Sequence, residues 1–309
     1  MDRPGSTSAV PPAVPAALVL RGRRFDASRP AVMGVVNRTP DSFYAQARFT
    51  DPEAGLAAVD RLVADGADIV DVGGVRAGQV GPWVEVAEEV ERVGPFLLAV
   101  RERHPGILLS LDTWRSEVAR ACAGAGIDLV NDTWAGADPG LAAVAAELGA
   151  GYVVSHTGGL PPRTDPVGVT YPPEPDGVVA SVLAGLRDGA ERAVAAGVPA
   201  ERVLVDPTLD FGKTTRHSLR VLRATSEVAG LGYPVLQSLS RKDFVGESLD
   251  LPVDDRLEGT LAATAVAAWL GATVFRAHDV RATRRVVDMV ASIRGDRPPA
   301  KAVRGEPAL

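Results

Sequence analysis

Eight short apolar runs in this 309-residue chain each end on or beside a group able to bind a ligand or hold charge. In order these are Asn37; Asp71 with Gly73-Gly74; Asp112; Asn131-Asp132; His156; Asp206; Ser240 with Arg241-Lys242; and Arg276 with His278-Asp279. A single polar residue after an apolar run is ordinarily a cap or a loop hydrogen bond. A full set is hard to assign to capping alone, because polar groups in a partly dry mouth cost free energy unless they pair or bind a ligand. Asp112, Asp206 and Asp279, with Asn37 and Asn131, suit a flat heterocycle with several N–H donors and ring acceptors. Lys242, Arg276 and His278 suit phosphate oxygens, the arginine fork being the strongest of the three. Carboxamide and carboxylate oxygens beside a phosphate also suit Mg²⁺, which keeps its waters and takes few protein ligands.

The elements that must position these groups are legible as residues 31–37, 68–73, 107–113, 129–133, 151–157, 203–208, 235–240 and 273–279. Each run is short and mostly apolar, as expected of strands buried on both faces. Between them the period changes to that of a helix. Leu56, Val59, Leu62 and Val63 share a face, as do Val86, Val90, Val93, Leu97 and Val100, and later Val286, Val287, Val290 and Ile293. Eight strand–helix units in series predict an α/β fold, a single-domain (β/α)8 TIM barrel over residues 18–295, whose strand ends converge on one face. A doubly wound open sheet is the competing arrangement. Residues 1–17 read as a disordered tail and 296–309 as a second tail.

Composition narrows the function. A net charge of −6 with no Lys/Arg block argues against nucleic acid, and no run approaches the ~18 apolar residues of a membrane span. The apolar stretch near the N-terminus is broken by Pro11, Pro12 and Pro15, and its basic cluster follows it, unlike a secretory signal. The one cysteine, Cys122, rules out intrachain disulfides, reads as a small buried residue and points to a cytoplasmic setting. Gly212-Lys213-Thr214 is not a Walker A ending, since Pro207 stands where its first glycine belongs. Gly73-Gly74 is no dinucleotide fingerprint, because Val75 and Arg76 occupy the next required glycine positions. The four histidines show no close metal-ligand pairing.

From about residue 31 to 293 the chain resembles the dihydropteroate synthase family. Asn37-Arg38-Thr39-Pro40-Asp41-Ser42-Phe43 is similar to the family's N-x-T-P-D-S-F loop. Asp71-Val72-Gly73-Gly74, Asp112-Thr113, Asn131-Asp132, Asp206-Pro207, Phe211-Gly212-Lys213-Thr214, Ser240-Arg241-Lys242 and Arg276-Ala277-His278-Asp279 follow in the family's order. The resemblance implies the joining of p-aminobenzoate to 6-hydroxymethyl-7,8-dihydropterin pyrophosphate in folate synthesis. It implies that Asp112, Asn131, Asp206, Phe211 and Lys242 hold the pterin, and that Asn37, Arg276 and His278 hold the pyrophosphate. It also implies Mg²⁺ near Asn37 and a homodimer through the later helices. Pyrophosphate departure leaves cationic character on the exocyclic carbon, so stabilising the leaving group's charge is the main catalytic lever.

The departures from the family cluster on the second-substrate side. Where the family continues E-S-T-R-P-G after Gly-Gly, this chain reads Val75-Arg76-Ala77-Gly78-Gln79, with Arg76 two places early for the lost arginine. The family's S-R-K-S becomes Ser240-Arg241-Lys242-Asp243, which is expected to set a carboxylate against that of p-aminobenzoate. Two such charges ~4 Å apart cost about 1–4 kcal/mol. Ser155 and Thr157 replace the methionines that flank the family's histidine, here His156. This pattern resembles the divergent second dihydropteroate synthase-like paralogue of actinobacteria, which lacks the family activity. The sequence reading is therefore a pterin-binding homologue with weak or lost synthase activity. An active synthase with a rebuilt loop and a non-catalytic binding or regulatory protein are the alternatives, with a pterin-dependent methyl transferase fainter still.

Overall fold

A computed structural model of the chain describes residues 16–39, 51–76, 83–164, 167–173 and 177–304. Strands β1 (Leu18–Leu20) and β2 (Arg23–Phe25) form an antiparallel hairpin. Its two-residue turn is Arg21-Gly22, both at positive φ (46° and 73°), which matches the twist of the flanking strands. Eight parallel strands follow: β3 (Ala31–Asn37), β4 (Ile69–Gly73), β5 (Leu108–Asp112), β6 (Leu129–Asn131), β7 (Gly151–Ser155), β8 (Val203–Asp206), β9 (Leu236–Ser238) and β10 (Val274–Ala277). They pair in the order β8-β7-β6-β5-β4-β3-β10-β9. The circle closes between β8 and the start of β9 through the Val205–Val235 bridge and the hydrogen bond from Val205 N to Pro234 O at 3.0 Å. The predicted strands are all present; Ala31–Asn37 matches its predicted bounds and the other seven are one to three residues shorter. The hairpin was not foreseen.

Helices α1 (Pro52–Ala64), α2 (Val86–Arg103), α3 (Ser116–Ala121), α4 (Leu141–Glu147), α5 (Val178–Ala195), α6 (Thr215–Arg223), α7 (Thr225–Ala229), α8 (Asp243–Leu249), α9 (Leu257–Trp269) and α10 (Val280–Arg294) surround the strands. Local chemistry starts several of them. Asp51 caps α1 by accepting from Ala54 N, with Pro52 in the first turn, and Thr214 with His217 forms a capping box on α6. On α10 the buried face is Val280, Thr283, Val287, Val290 and Ala291. Ile293, expected on that face, is exposed.

Side-chain alternation divides the core in two. Val32, Val70, Leu109, Val130, Tyr152, Val205 and Phe275 point outward into the layer beneath the helices. Met33, Ile69, Leu108, Leu129, Val153, Leu204 and Val274 fill the lower barrel interior, which Leu18, Leu20 and Phe25 of the hairpin seal from below. Buried Asp68 ties this lower end together, accepting from Arg23, Arg284 and Val32 N. Cys122 is buried, and burial pushes its thiol up to about 11, as befits a small apolar filler. Above the apolar layers, the same inward positions turn polar.

Candidate active site at the barrel mouth

Strand parity sets the site. Counting in twos from the buried inward residues gives Asn37 on β3, Asp71 on β4, Ser110 and Asp112 on β5, Asn131 on β6, Asp206 on β8, Ser238 on β9 and Arg276 on β10. Asp71, fully buried, accepts from Ser110 Oγ at 2.5 Å, Asn131 Nδ2 at 3.1 Å and Arg276 Nε at 2.7 Å. The other edge of the guanidinium donates from Nη2 to Asp112 Oδ2 at 2.8 Å, and Thr133 Oγ1 lies 3.3 Å from Asp112 Oδ1. One arginine thus joins two carboxylates across the mouth. Burial raises Asp112 to about 7 against the pull of Arg276, with Asp71 adding repulsion. Burial opposes the charge on Arg276, but Asp71 and Asp112 more than offset it and hold its pKa up.

The opposite wall is built by the loop after β8. Asp206 accepts from Thr208 N at 2.7 Å and Ser238 Oγ at 3.0 Å, and its pKa is raised by burial, partly countered by Lys242. Lys242 donates to Leu209 O, and its Nζ lies 5.2 Å from the centroid of the Phe211 ring. Burial lowers its pKa, with Asp206 and Asp210 acting the other way. Phe211 in turn meets Trp134 edge-on at 5.5 Å. Lys213, buried, holds the loop's shape by donating to the carbonyls of His156, Thr208 and Phe211 at 2.7, 3.2 and 2.9 Å. Ser155 Oγ pins the β6–α4 loop by donating to Asp132 O and accepting from Ala135 N.

The structure brings Asp112, Asn131, Asp206, Phe211, Lys242, Asn37 and Arg276 to one mouth. Arg276 is more committed than its expected anion role suggests, because Nε and Nη2 already serve Asp71 and Asp112. His278 accompanies Ser240 Oγ at 2.9 Å through Nδ1, and burial with Arg276 and Arg241 drives its pKa down to about 3. It enters the site as a neutral imidazole. His156 is a correction. It continues the outward parity of Tyr152 and Val154, and its Nε2 meets Ser181 of α5 at 3.1 Å on the barrel flank. Asp243 is 69% exposed in its side chain and sits 2.8 Å from Arg256 Nη1, so its charge is compensated by an ion pair. Arg76 closes a described stretch, and Ala77-Gly78-Gln79 lie outside the described residues, as do Pro40 to Phe43 of the first loop.

A carboxylate–amide cluster facing a lysine–aromatic wall across a parallel barrel suits a planar, donor-rich ring. The family model described as "Pterin binding enzyme" matches residues 33–278. The chain belongs to this family. An "Inactive dihydropteroate synthase 2" of Mycobacterium leprae (strain TN) is 55% identical over 93% of this chain and 98% of that protein. The Yersinia pestis dihydropteroate synthase solved with a sulfonamide drug complex superposes with a TM-score of 0.83 at 32% identity, covering 91% of this chain and 99% of that one. Mycobacterium tuberculosis Rv1207 superposes at 0.68 with 45% identity, covering 90% and 98%. The chain is thus a divergent dihydropteroate synthase homologue, and its barrel is the one its solved relatives share.

Within this pterin-binding enzyme fold, several supporting residues escaped the sequence reading. Ser110 and Ser238 sit at inward positions that parity alone could have flagged. Glu89 of α2 could not be found that way. It is wholly buried between Thr113 Oγ1 (2.7 Å) and Arg115 Nη1 (2.9 Å), with burial raising its pKa.

Proposed function

We propose that this protein binds 6-hydroxymethyl-7,8-dihydropterin pyrophosphate at the barrel mouth and couples it to p-aminobenzoate weakly or not at all. The observation that carries the reading is the division of the mouth. Asp112, Asn131, Asp206, Phe211 and Lys242 converge to receive the pterin, whereas the loop after Gly74 has lost the family's residues. The compensation of Asp243 by Arg256 weakens the charge-repulsion argument, and the altered loop at Arg76 then bears most of the case. The name of the Mycobacterium leprae relative supports the same conclusion.

In this reading the carboxylates of Asp112 and Asp206 accept the ring's N–H groups, and Asn131 supplies both donor and acceptor. Phe211 covers a ring face. Asn37, His278 and Arg276 Nη1, which donates to no group among the described residues, meet the pyrophosphate. The Asn37 carboxamide is a hard oxygen donor at the anion end and fits Mg²⁺ bound chiefly by pyrophosphate and water. When bound, Mg²⁺ would neutralise leaving-group charge. The same reading takes the protein to be cytoplasmic. Among the described residues, no helix is long and apolar enough to cross a membrane. A homodimer through α9 and α10 is supported by exposed Val266, Trp269, Met289 and Ile293 on those helices.

Two measurements test the proposal. Pterin pyrophosphate with Mg²⁺ should raise the melting temperature, a hundredfold excess over Kd being worth about 2.7 kcal/mol. Incorporation of labelled p-aminobenzoate should stay near background. No thermal shift would remove the pterin reading, and turnover equal to that of an ordinary synthase would remove the inactivity.

A further inference from the structure

The flank of the barrel holds a cavity of about 470 Å³ away from the mouth. Its floor is the outward face of β7, with Tyr152, Val154 and His156. One wall is α5, which presents Ser181, Gly185, Gly189 and Ala193 at four-residue spacing, and the other is formed by Gly136, Pro139 and Ala142. The space has a structural cause. A Cβ on Gly189 would lie 2.4 Å from Val154 Cγ1, and one on Gly185 2.9 Å from His156 Cδ2, so glycines let α5 press onto β7. With only seven residues, α4 is too short to close the gap from the other side.

The polar groups around this slot are unequal in their commitments. Asp132 already accepts from Trp134 N, Gly136 N and Tyr152 Oη, and Asp138 from Ser116 N and Gly140 N. Among the described residues, Arg192 is the one cation in the lining. Its Nη2 lies 3.7 Å from the position a Gly189 Cβ would take, over the slot, and no carboxylate among the described residues pairs with it. His156 is 6% exposed, and its Nδ1 has no hydrogen-bond partner among the described residues. Burial and the Lys213 charge push its pKa down to about 3, so the ring is neutral and able to donate or accept.

We propose that this flank cavity is a second binding site, for a small aromatic carboxylate. The ring lies in the gap between α5 and the Pro139–Ala142 wall, over the outer face of β7, the carboxylate meets Arg192, and a polar substituent reaches Ser181 and His156. The volume falls within the range of small-ligand pockets. The site is independent of the pterin reading, since none of its lining residues contributes a side chain to the pterin wall.

Saturation-transfer NMR on the full chain with 1-naphthoate, and with 1-naphthamide as the uncharged control, tests this. Ala184 lines the cavity and is exposed, so Ala184→Leu fills the slot without entering the core. Arg192→Gln removes the cation. The expected result is binding of 1-naphthoate that falls about tenfold or more in either variant and in the amide control, tenfold being about 1.4 kcal/mol. No transfer to 1-naphthoate overturns the proposal, as does equal binding of the amide. Undiminished binding in both variants would place the probe elsewhere and overturn it too. If Ala184→Leu fails to fold by circular dichroism, Arg192→Gln at an exposed position still decides.

Discussion

Replacing Arg276 by methionine should destabilise the protein, and by an amount that depends on pH. The guanidinium contacts Asp71 at 2.7 Å and Asp112 at 2.8 Å. Each contact is worth about 6 kcal/mol of gross Coulomb attraction at an effective dielectric of about 20. Most of that is offset by desolvation, and breaking a buried pair by removing one partner typically costs about 3–5 kcal/mol. We expect that loss at pH 8, where removal of the cation leaves Asp71 and Asp112 without their shared arginine. Asp112 gives the sign of the pH dependence. Its folded pKa, about 7, lies above its unfolded value, so the folded state holds the extra proton and stability falls as pH rises from about 4 through 7. Without Arg276 the folded pKa climbs further, because an adjacent arginine lowers a carboxylate by about 1–3 units. The destabilisation by Arg276→Met should therefore be about 1 kcal/mol smaller at pH 5.5 than at pH 8. Urea denaturation at the two pH values measures both, and adding Asp112→Asn should recover part of the loss at pH 8. A loss equal at both pH values, or below about 1 kcal/mol at pH 8, would refute a charge-coupled mouth.

Three further outcomes follow from the same geometry. Gly212→Ala should cost about 2 kcal/mol or more and abolish pterin-pyrophosphate binding, because Gly212 sits at φ 63° and its Cβ would lie 2.0 Å from Thr157 O; calorimetry and denaturation together check this. Pterin affinity should weaken as pH falls below about 7, where Asp112 takes up its proton and ceases to accept from the ring, and titration calorimetry between pH 5.5 and 8.5 would contradict this if affinity were flat. Asp243→Ser should change stability by no more than about 0.5 kcal/mol, since the Asp243 side chain is largely exposed and solvent screens its pair with Arg256, and should leave p-aminobenzoate incorporation at background because the loop after Gly74 is still altered.

The mouth was legible because strand parity and strand ends are properties of short segments. Asn37, Asp112, Asn131, Asp206 and Arg276 each follow an apolar run by a fixed count, and a period of two with a common direction brings them together. His156 was misread for the same reason that the others were read well. His156 stands beside a strand end like the others, but it shares the parity of Tyr152 and Val154, and one residue decides between mouth and flank. The hairpin Leu18–Phe25 carried a signal in Arg21-Gly22, a turn pair between the apolar Leu18-Val19-Leu20 and Arg23-Arg24-Phe25. Its role as the barrel's floor did not, because which residues seal the bottom depends on the radius of the closed sheet.

By itself the sequence determined the eight strand–helix units, the polar set at their ends and the departure from the family's motif after Gly74, since each is a matter of residue type and spacing. The tertiary structure alone decided which charges meet. Asp71 and Arg276 stand 205 residues apart in the chain, and only closure of the barrel sets them 2.7 Å from each other. Likewise Asp243 finds Arg256 because a helix begins there, and α5 finds β7 because two glycines permit it. Electrostatics and packing depend on distances through space, which local sequence does not encode.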